Sequence, residues 1–411
     1  MVRFTSAMTV GLVGLASIAA AHPGHDHKAE AAERRHFVQN SGIQTRSLSQ
    51  CAAKLKTRGH EAKNIARRHH AVRQIRRRRG LNRDAQYLKA RDLDSVLSTS
   101  HASNLTGITP STDASVLFGS EATCILAPDV TQGPYYVSGE LIRRNIVDDE
   151  PGVPLYMDIQ LIDTNTCEPL PDMYMDLWHC NSTGVYSGIQ ANGNGDSTDA
   201  TNLNATFLRG IQPSDEEGIV QFESIFPGHY TGRATHIHVL THPVNETTVL
   251  QNNTISGLYS SKTSHVGQLF FDQDLITQVE KTAPYSTNTQ DLTTNAEDTI
   301  LAQEADSIDP FMEYVLLGND LSDGIFAWIT VGVDSTEDTT VTPAAYYTEQ
   351  GGVENENSGM RGGGGGGAGG AQPSGAPRPS GAVSFSLVAT PSSSVSGSTS
   401  LSVDACGETV V

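Results

Sequence analysis

Apolar and polar residues alternate with a period of two along several stretches of this chain. Pro154–Ile162 and Met173–Trp178 show it most clearly, followed by Ile219–Phe226, Ala234–Leu240, Gly267–Phe271 and Ile325–Val331. Such alternation predicts strands with one face on a core. Clusters of Gly, Asn, Asp and Pro separate the stretches, as turns should. Several short strands of this kind predict a mainly β fold, a β-sandwich spanning residues 124–347, which is long enough for one core. The run Asn192–Ser197 reads as a long loop between strands.

Either side of this region the pattern changes. Residues 28–95 are rich in Ala, Arg, Lys, Glu and Leu and hold no Pro, which predicts an N-terminal helical arm. Residues 348–411 are dominated by Gly, Ser, Thr and Pro, with unbroken glycine from Gly362 to Gly367. Too little apolar surface is available there to offset ordering the backbone, so a disordered Gly/Ser-rich C-terminal tail is expected. At the other end, Arg3, the apolar stretch Met8–Ala20 and Ala19-Ala-Ala21 form a secretory signal over residues 1–21. A leader and the arm then occupy 22–95, and a linker 96–123. The leader opens on His22-Pro-Gly-His-Asp-His27, read as a flexible polar segment rather than a metal tract.

Charge is divided unevenly. Residues 1–94 carry 19 of the 27 basic residues and 7 of the 46 acidic ones, a net of +12 that leaves −31 for the remainder. A domain this acidic excludes nucleic acid and anionic membranes as partners and disfavours strongly anionic substrates. The basic arm has two uses open to it. It can pack on the acidic domain or on a second copy as a homodimer contact. Alternatively it is a pro-segment cut at Arg76–Arg79. The tail is a candidate for cell-wall association.

Five cysteines, Cys51, Cys124, Cys167, Cys180 and Cys406, suit an oxidising compartment. The expected pairs are Cys51–Cys124 and Cys167–Cys180, one of three connectivities open to those four. Sequons at Asn104, Asn181, Asn204, Asn245 and Asn252 are candidate glycosylation sites.

The chemistry concentrates in Thr235-His-Ile-His238, preceded by Tyr230 and, further upstream, Tyr186. His236 and His238 lie at i and i+2 of a strand and so can face one ion. Imidazole alone leaves zinc, copper and nickel open. Phenolate is a hard anionic donor, and the two tyrosines turn the choice towards Fe(III). His179 and His229, which flank these segments, read as structural histidines or hydrogen-bond partners.

Four segments in order resemble the intradiol ring-cleavage dioxygenases, and among them a secreted fungal branch. They are Gly133-Pro-Tyr-Tyr-Val-Ser-Gly139, Trp178-His-Cys-Asn-Ser-Thr-Gly-Val-Tyr-Ser187, Pro227-Gly-His-Tyr-Thr-Gly-Arg-Ala-Thr-His-Ile-His238 and Gly267-Gln-Leu-Phe-Phe271. The resemblance covers roughly Cys124 to Val331. It implies an intradiol dioxygenase-like β-sandwich that opens catechol-type rings with O2 to muconate-type products. It further implies Tyr186, Tyr230, His236 and His238 as ligands of non-haem Fe(III), with Tyr230 leaving when a catechol chelates. Arg233 and Gln268 are implied as polar groups beside the substrate ring. Bacterial members have a longer insertion between the second tyrosine and the first histidine, so their substrate preference is not carried over. The rival readings are a copper or zinc enzyme, an extradiol Fe(II) enzyme with two His and a carboxylate, and a non-catalytic cell-wall or carbohydrate-binding β-sandwich.

Overall fold

The computed structural model describes Leu48 and residues 51–83, 85, 123–125, 135–190, 194, 198–243, 247–256, 262–263, 265–305, 309–336 and 339–355. The expected signal peptide, leader, most of the linker and residues 356–411 of the expected tail lie outside the described residues, as do Asn104, Asn245 and Cys406.

Two helices come first, α1 (Ala52–Thr57) and α2 (His60–Arg78). The expected helix over 28–95 is therefore shorter where it is described. It breaks at Arg58-Gly59 and ends at Arg78, before the turn at Arg79-Gly80. The strands follow as β1 (Thr123–Ile125), β2 (Val137–Ser138), β3 (Pro154–Asp163), β4 (Met173–Trp178), β5 (Arg209–Pro213), β6 (Ile219–Ile225), β7 (His236–Pro243), β8 (Thr248–Val249), β9 (Ile255–Ser256), β10 (Lys262–Thr263) and β11 (His265–Phe270). Helices α3 (Gln273–Val279) and α4 (Thr299–Ala305) come next, then β12 (Glu313–Leu316), β13 (Ile325–Val333), β14 (Thr339–Thr340), β15 (Ala345–Thr348) and β16 (Gly351–Glu354).

Two sheets form the sandwich. One runs β1-β13-β3-β6, with β12 also paired to β13; the other runs β11-β7-β4-β5. Strands β13 and β3 are parallel, with Ile325 opposite Leu155. The second sheet is antiparallel throughout, with Trp178 and Gln268 flanking His238 from β4 and β11. Alternate residues of both sheets meet in one core. Leu155, Met157, Ile159 and Leu161 from β3 pack with Met173, Met175 and Leu177 from β4 and Ile237 and Val239 from β7. Burying each such side chain contributes about 1.5–3 kcal/mol.

The strand period sends the other residues outward, and each outer face has its own cover. On the first sheet, Tyr156, Phe326 and Trp328 pack against Val72 and Ile75 of α2. Asp158 is buried beneath that helix. Its carboxylate accepts from Arg67 Nη2 at 2.7 Å and Arg67 Nε at 3.0 Å, with Arg68 Nε at 3.6 Å. The arm is thus an integral layer of the domain, and Arg76, within the supposed processing site, is fully buried with its Nε donating to Leu317 O at 2.7 Å.

The disulfide joins Cys51 to Cys167, correcting both expected pairs. Cys167 sits in the turn after β3, where α1 begins and where Lys54 reaches Thr166 O at 2.6 Å. Cys180 is at the far end of β4, packed beside the two tyrosines as a free buried thiol. Cys124 lies in β1 opposite Val331. The expected end of the domain at Tyr347 is also too early. β15 pairs with both β2 and β16, carrying the fold to Glu354. Among the described residues no helix is long and apolar enough to cross a membrane.

Candidate metal centre

The outer face of the second sheet holds the chemistry. On β7, Ile237 and Val239 point into the core, so His236 and His238 share the opposite face. Their Nε2 atoms are 3.0 Å apart. His236 Nδ1 lies 2.6 Å from Ala234 O. A carbonyl can only accept, so Nδ1 carries the proton and Nε2 presents its lone pair. Burial, and then the charge of Arg233, push the His236 pKa down to about 3, which keeps this ring neutral.

Tyr230 arrives from the turn before β7, its hydroxyl donating to His236 Nε2 at 3.1 Å. The Tyr186 hydroxyl donates in turn to the Tyr230 oxygen at 3.4 Å. Tyr186 is held through its backbone: its N–H donates to Asn194 O at 2.7 Å, and its carbonyl accepts from Asn202 Nδ2 at 2.8 Å. The Tyr135 ring stacks on the Tyr186 ring at 4.7 Å, and the Arg209 guanidinium carbon lies 5.9 Å from the centre of the Tyr186 ring. The two tyrosine-bearing turns touch through glycines. A Cβ at Gly228 would overlap Asn181 O and sit 2.6 Å from the Ser182 carbonyl carbon, while one at Gly184 would overlap His229 O. Only hydrogen at these positions lets the two phenols approach.

All four side chains are at most 2% exposed. Burial pushes both phenols well above their ordinary pKa; the charge of Tyr186 raises Tyr230 further, while the hydrogen bond with Tyr230 partly eases the ionisation of Tyr186. Ionised phenols in this place require a strong cation between them. Ligand atoms sharing one ion at bonds of ~2.1 Å stand ~3.0–3.4 Å apart, which is the spacing found here. Two phenols and two neutral imidazoles suit a hard trivalent ion such as Fe(III). Among the described residues no group of three His, Cys, Asp or Glu side chains converges. The two-histidine, one-carboxylate set of an extradiol site is therefore not on offer there.

Arg233 and Gln268 meet on the same side. Arg233 Nη2 donates to Gln268 Oε1, and Gln268 is the cross-strand neighbour of His238. The Gln268 Nε2 group is buried and has no hydrogen-bond partner. All six candidate residues are thus brought together.

The neighbouring histidines are structural. His179 places Nδ1 2.8 Å from Cys180 O and Nε2 2.7 Å from Ser224 Oγ, and burial lowers its pKa to about 4. His229 pairs with Glu280 at 2.8 Å and with Gln290 O at 2.9 Å. Burial raises the Cys180 thiol to about 12, so it is no nucleophile. Sequence reasoning missed Asp298, whose Oδ2 accepts from Arg233 Nε at 3.0 Å from 65 positions away. It also missed the buried trio Glu140, Asp176 and Arg209, in which Glu140 lies 3.6 Å from Arg209. Glu140 lies one residue past the Gly133–Gly139 segment, where a single acid carries no local signal.

Comparison with known proteins places these observations. An intradiol ring-cleavage dioxygenase from Tetranychus urticae is 28% identical, with a TM-score of 0.42 over 53% of this chain and 98% of that one. A hydroxyquinol 1,2-dioxygenase from Pseudomonas putida DLL-E4 is 16% identical, with a TM-score of 0.32 over 52% of this chain and 68% of that one. In sequence, the chain is 31% identical over 108 residues to a catechol 1,2-dioxygenase from Pseudomonas sp. (strain EST1001), which is 25% of this chain. The match spans 32% of that relative, about a third of its length. Residues 128–278 match a family model described as Dioxygenase, a span that holds both tyrosines, both histidines, Arg233 and Gln268. Over that span the chain is similar to the dioxygenase family that the model describes.

Proposed function

We propose that the protein is a non-haem Fe(III) enzyme that opens catechol-type rings between the two hydroxyl-bearing carbons. Both atoms of O2 enter the product, a muconate-type diacid. One observation carries this reading: two buried tyrosine hydroxyls and two imidazole Nε2 atoms converge within hydrogen-bond distances. Tyr186, Tyr230, His236 and His238 would hold the ion, which would supply a Lewis-acidic centre for the two catechol oxygens.

The side chains around it have separable tasks. Tyr230, once ionised, is placed as the base for a catechol proton. His236, locked by Ala234 O, stays a neutral donor. Arg233 offers N–H donors that cannot be lost, and so can stabilise negative charge developing on the ring. Gln268 Nε2 adds a second donor. Burial of all these groups excludes water from the reacting ring.

Export through the signal over residues 1–21 completes the proposal and agrees with the Cys51–Cys167 disulfide and the sequons. With it go a place in the secreted fungal branch, glycosylation, a contact between copies through the exposed side of α2, and wall association through the tail. The acidic domain favours neutral catechols. The rival of a non-catalytic wall-binding sandwich leaves the four-donor cluster without a use.

The test is a visible spectrum of the purified protein loaded with Fe(III), before and after catechol is added without oxygen. A broad tyrosinate-to-iron band that moves to longer wavelength is expected. A protein that stays colourless after loading overturns the proposal.

A further inference from the structure

We propose that Asp298 is the positioning residue of this site, fixing the Arg233 guanidinium and, through it, the direction in which the Gln268 amide presents its donor. This rests on the reading of the site as a ring-cleaving centre. Asp298 lies outside the span matched to the family model, immediately before α4, and is 1% exposed.

Every side of its carboxylate is engaged. Oδ1 accepts from the backbone N–H of Ile300 at 2.8 Å and of Leu301 at 3.2 Å, in the first turn of α4. Oδ2 accepts from Arg233 Nε at 3.0 Å and from Ala234 N–H at 2.9 Å. A carboxylate bound at both oxygens from opposite sides has one orientation, so Arg233 is pinned at Nε from behind. Its Nη2 is thereby directed onto Gln268 Oε1. An amide that accepts through Oε1 must turn Nε2 the other way, and Nε2 is the buried atom without a partner. The chain Asp298–Arg233–Gln268 therefore leaves an aimed N–H donor for an acceptor oxygen of the bound ring.

A second branch runs through one peptide. Ala234 donates its N–H to Asp298 and accepts His236 Nδ1–H on its carbonyl. One carboxylate thus orients both the guanidinium and the segment that sets the His236 tautomer. Asp298 itself touches neither the four ligand atoms nor, on this geometry, the substrate. A displacement of such positioning groups by about 1 Å costs roughly 10²-fold in rate.

The experiment is a double-mutant cycle on the full-length, iron-loaded protein with catechol as probe. Asp298→Asn should lower kcat about 100-fold with the ferric band retained, and should add less than about two-fold once Arg233→Ala is present. An equal loss in both backgrounds, or full activity of Asp298→Asn, overturns the proposal. Asp298→Glu, which moves the carboxylate by one methylene, serves if the Asn variant does not fold, and the same outcomes apply.

A second readout needs no metal. In the metal-free protein, proton NMR should show a slowly exchanging Arg233 Nε–H resonance that disappears in the Asp298 variant. Its absence from the wild type overturns the positioning role directly. A wild type that shows this resonance but never colours with iron sinks the ring-cleavage reading and leaves the Asp298–Arg233 contact standing.

Discussion

The Trp178 indole lies flat against the His238 imidazole, with ring centroids 4.9 Å apart and planes 4° from parallel. The two are cross-strand partners of β4 and β7. The stack restricts imidazole rotation, so the ring is oriented before any ion arrives. Trp178→Leu should weaken ferric ion binding about 10- to 100-fold, the usual cost of removing a group that orients a ligand. Trp178→Phe, which keeps a flat surface, should lose much less. Competition titrations against a ferric chelator measure both.

Tyr186→Phe and Tyr230→Phe should separate stability from metal binding. The hydroxyl contact between them is long at 3.4 Å, and burial disfavours both phenolates. Each variant without metal should unfold within about 1 kcal/mol of the wild type. Each should nonetheless lose tight iron binding and ring cleavage. Thermal unfolding without metal, alongside the iron content of the purified variants, checks the pair of statements.

Gly228→Ala tests the contact between the two tyrosine turns. The added methyl meets backbone at Asn181 and Ser182, which cannot swing aside as a side chain would. A loss of about 1–3 kcal/mol is expected from overpacking, together with a separation of the two phenols. Unfolding by urea gives the first quantity, and the intensity of the iron-loaded visible band reports the second.

Acid should act on the arm. Burial by itself would raise the Asp158 pKa, but the bonds and charges of Arg67 and Arg68 outweigh it and hold the carboxyl below its ordinary value. A depressed folded pKa gives stability that is full above the unfolded value, ~3.9, and is lost as pH falls through the folded one. The wild type should therefore lose stability below about pH 4. Asp158→Asn should be flatter in that window, and less stable at pH 7 by about 3–5 kcal/mol because two arginines lose their buried partner. Unfolding free energies measured across pH 2–7 for both proteins decide it.

The sandwich was readable because β3, β4 and β7 send apolar residues into the core at every second position, although both of their faces are covered. Four residues of β12 and the hairpin β15–β16 are too short to show a period, and so the domain end was placed at Tyr347 rather than Glu354. The helical arm was readable in composition, and its breaks fall at Gly59 and Gly80, two glycines at positive φ that composition alone does not weigh. The convergence of His236, His238, Tyr186 and Tyr230 was readable because histidines two apart share a strand face and the tyrosines sit in glycine-bearing turns. The cysteine pairing was not, because it depends on where α1 begins relative to the turn after β3. Asp298 left no trace, being joined to Arg233 by folding alone.

The burial of Arg76 against Leu317 O spans 241 positions. During synthesis Arg76 therefore emerges long before the carbonyl on which it docks, and its docking must await the chain through β12. The arm thus acts as a clasp that closes only once the chain through Leu317 has been made.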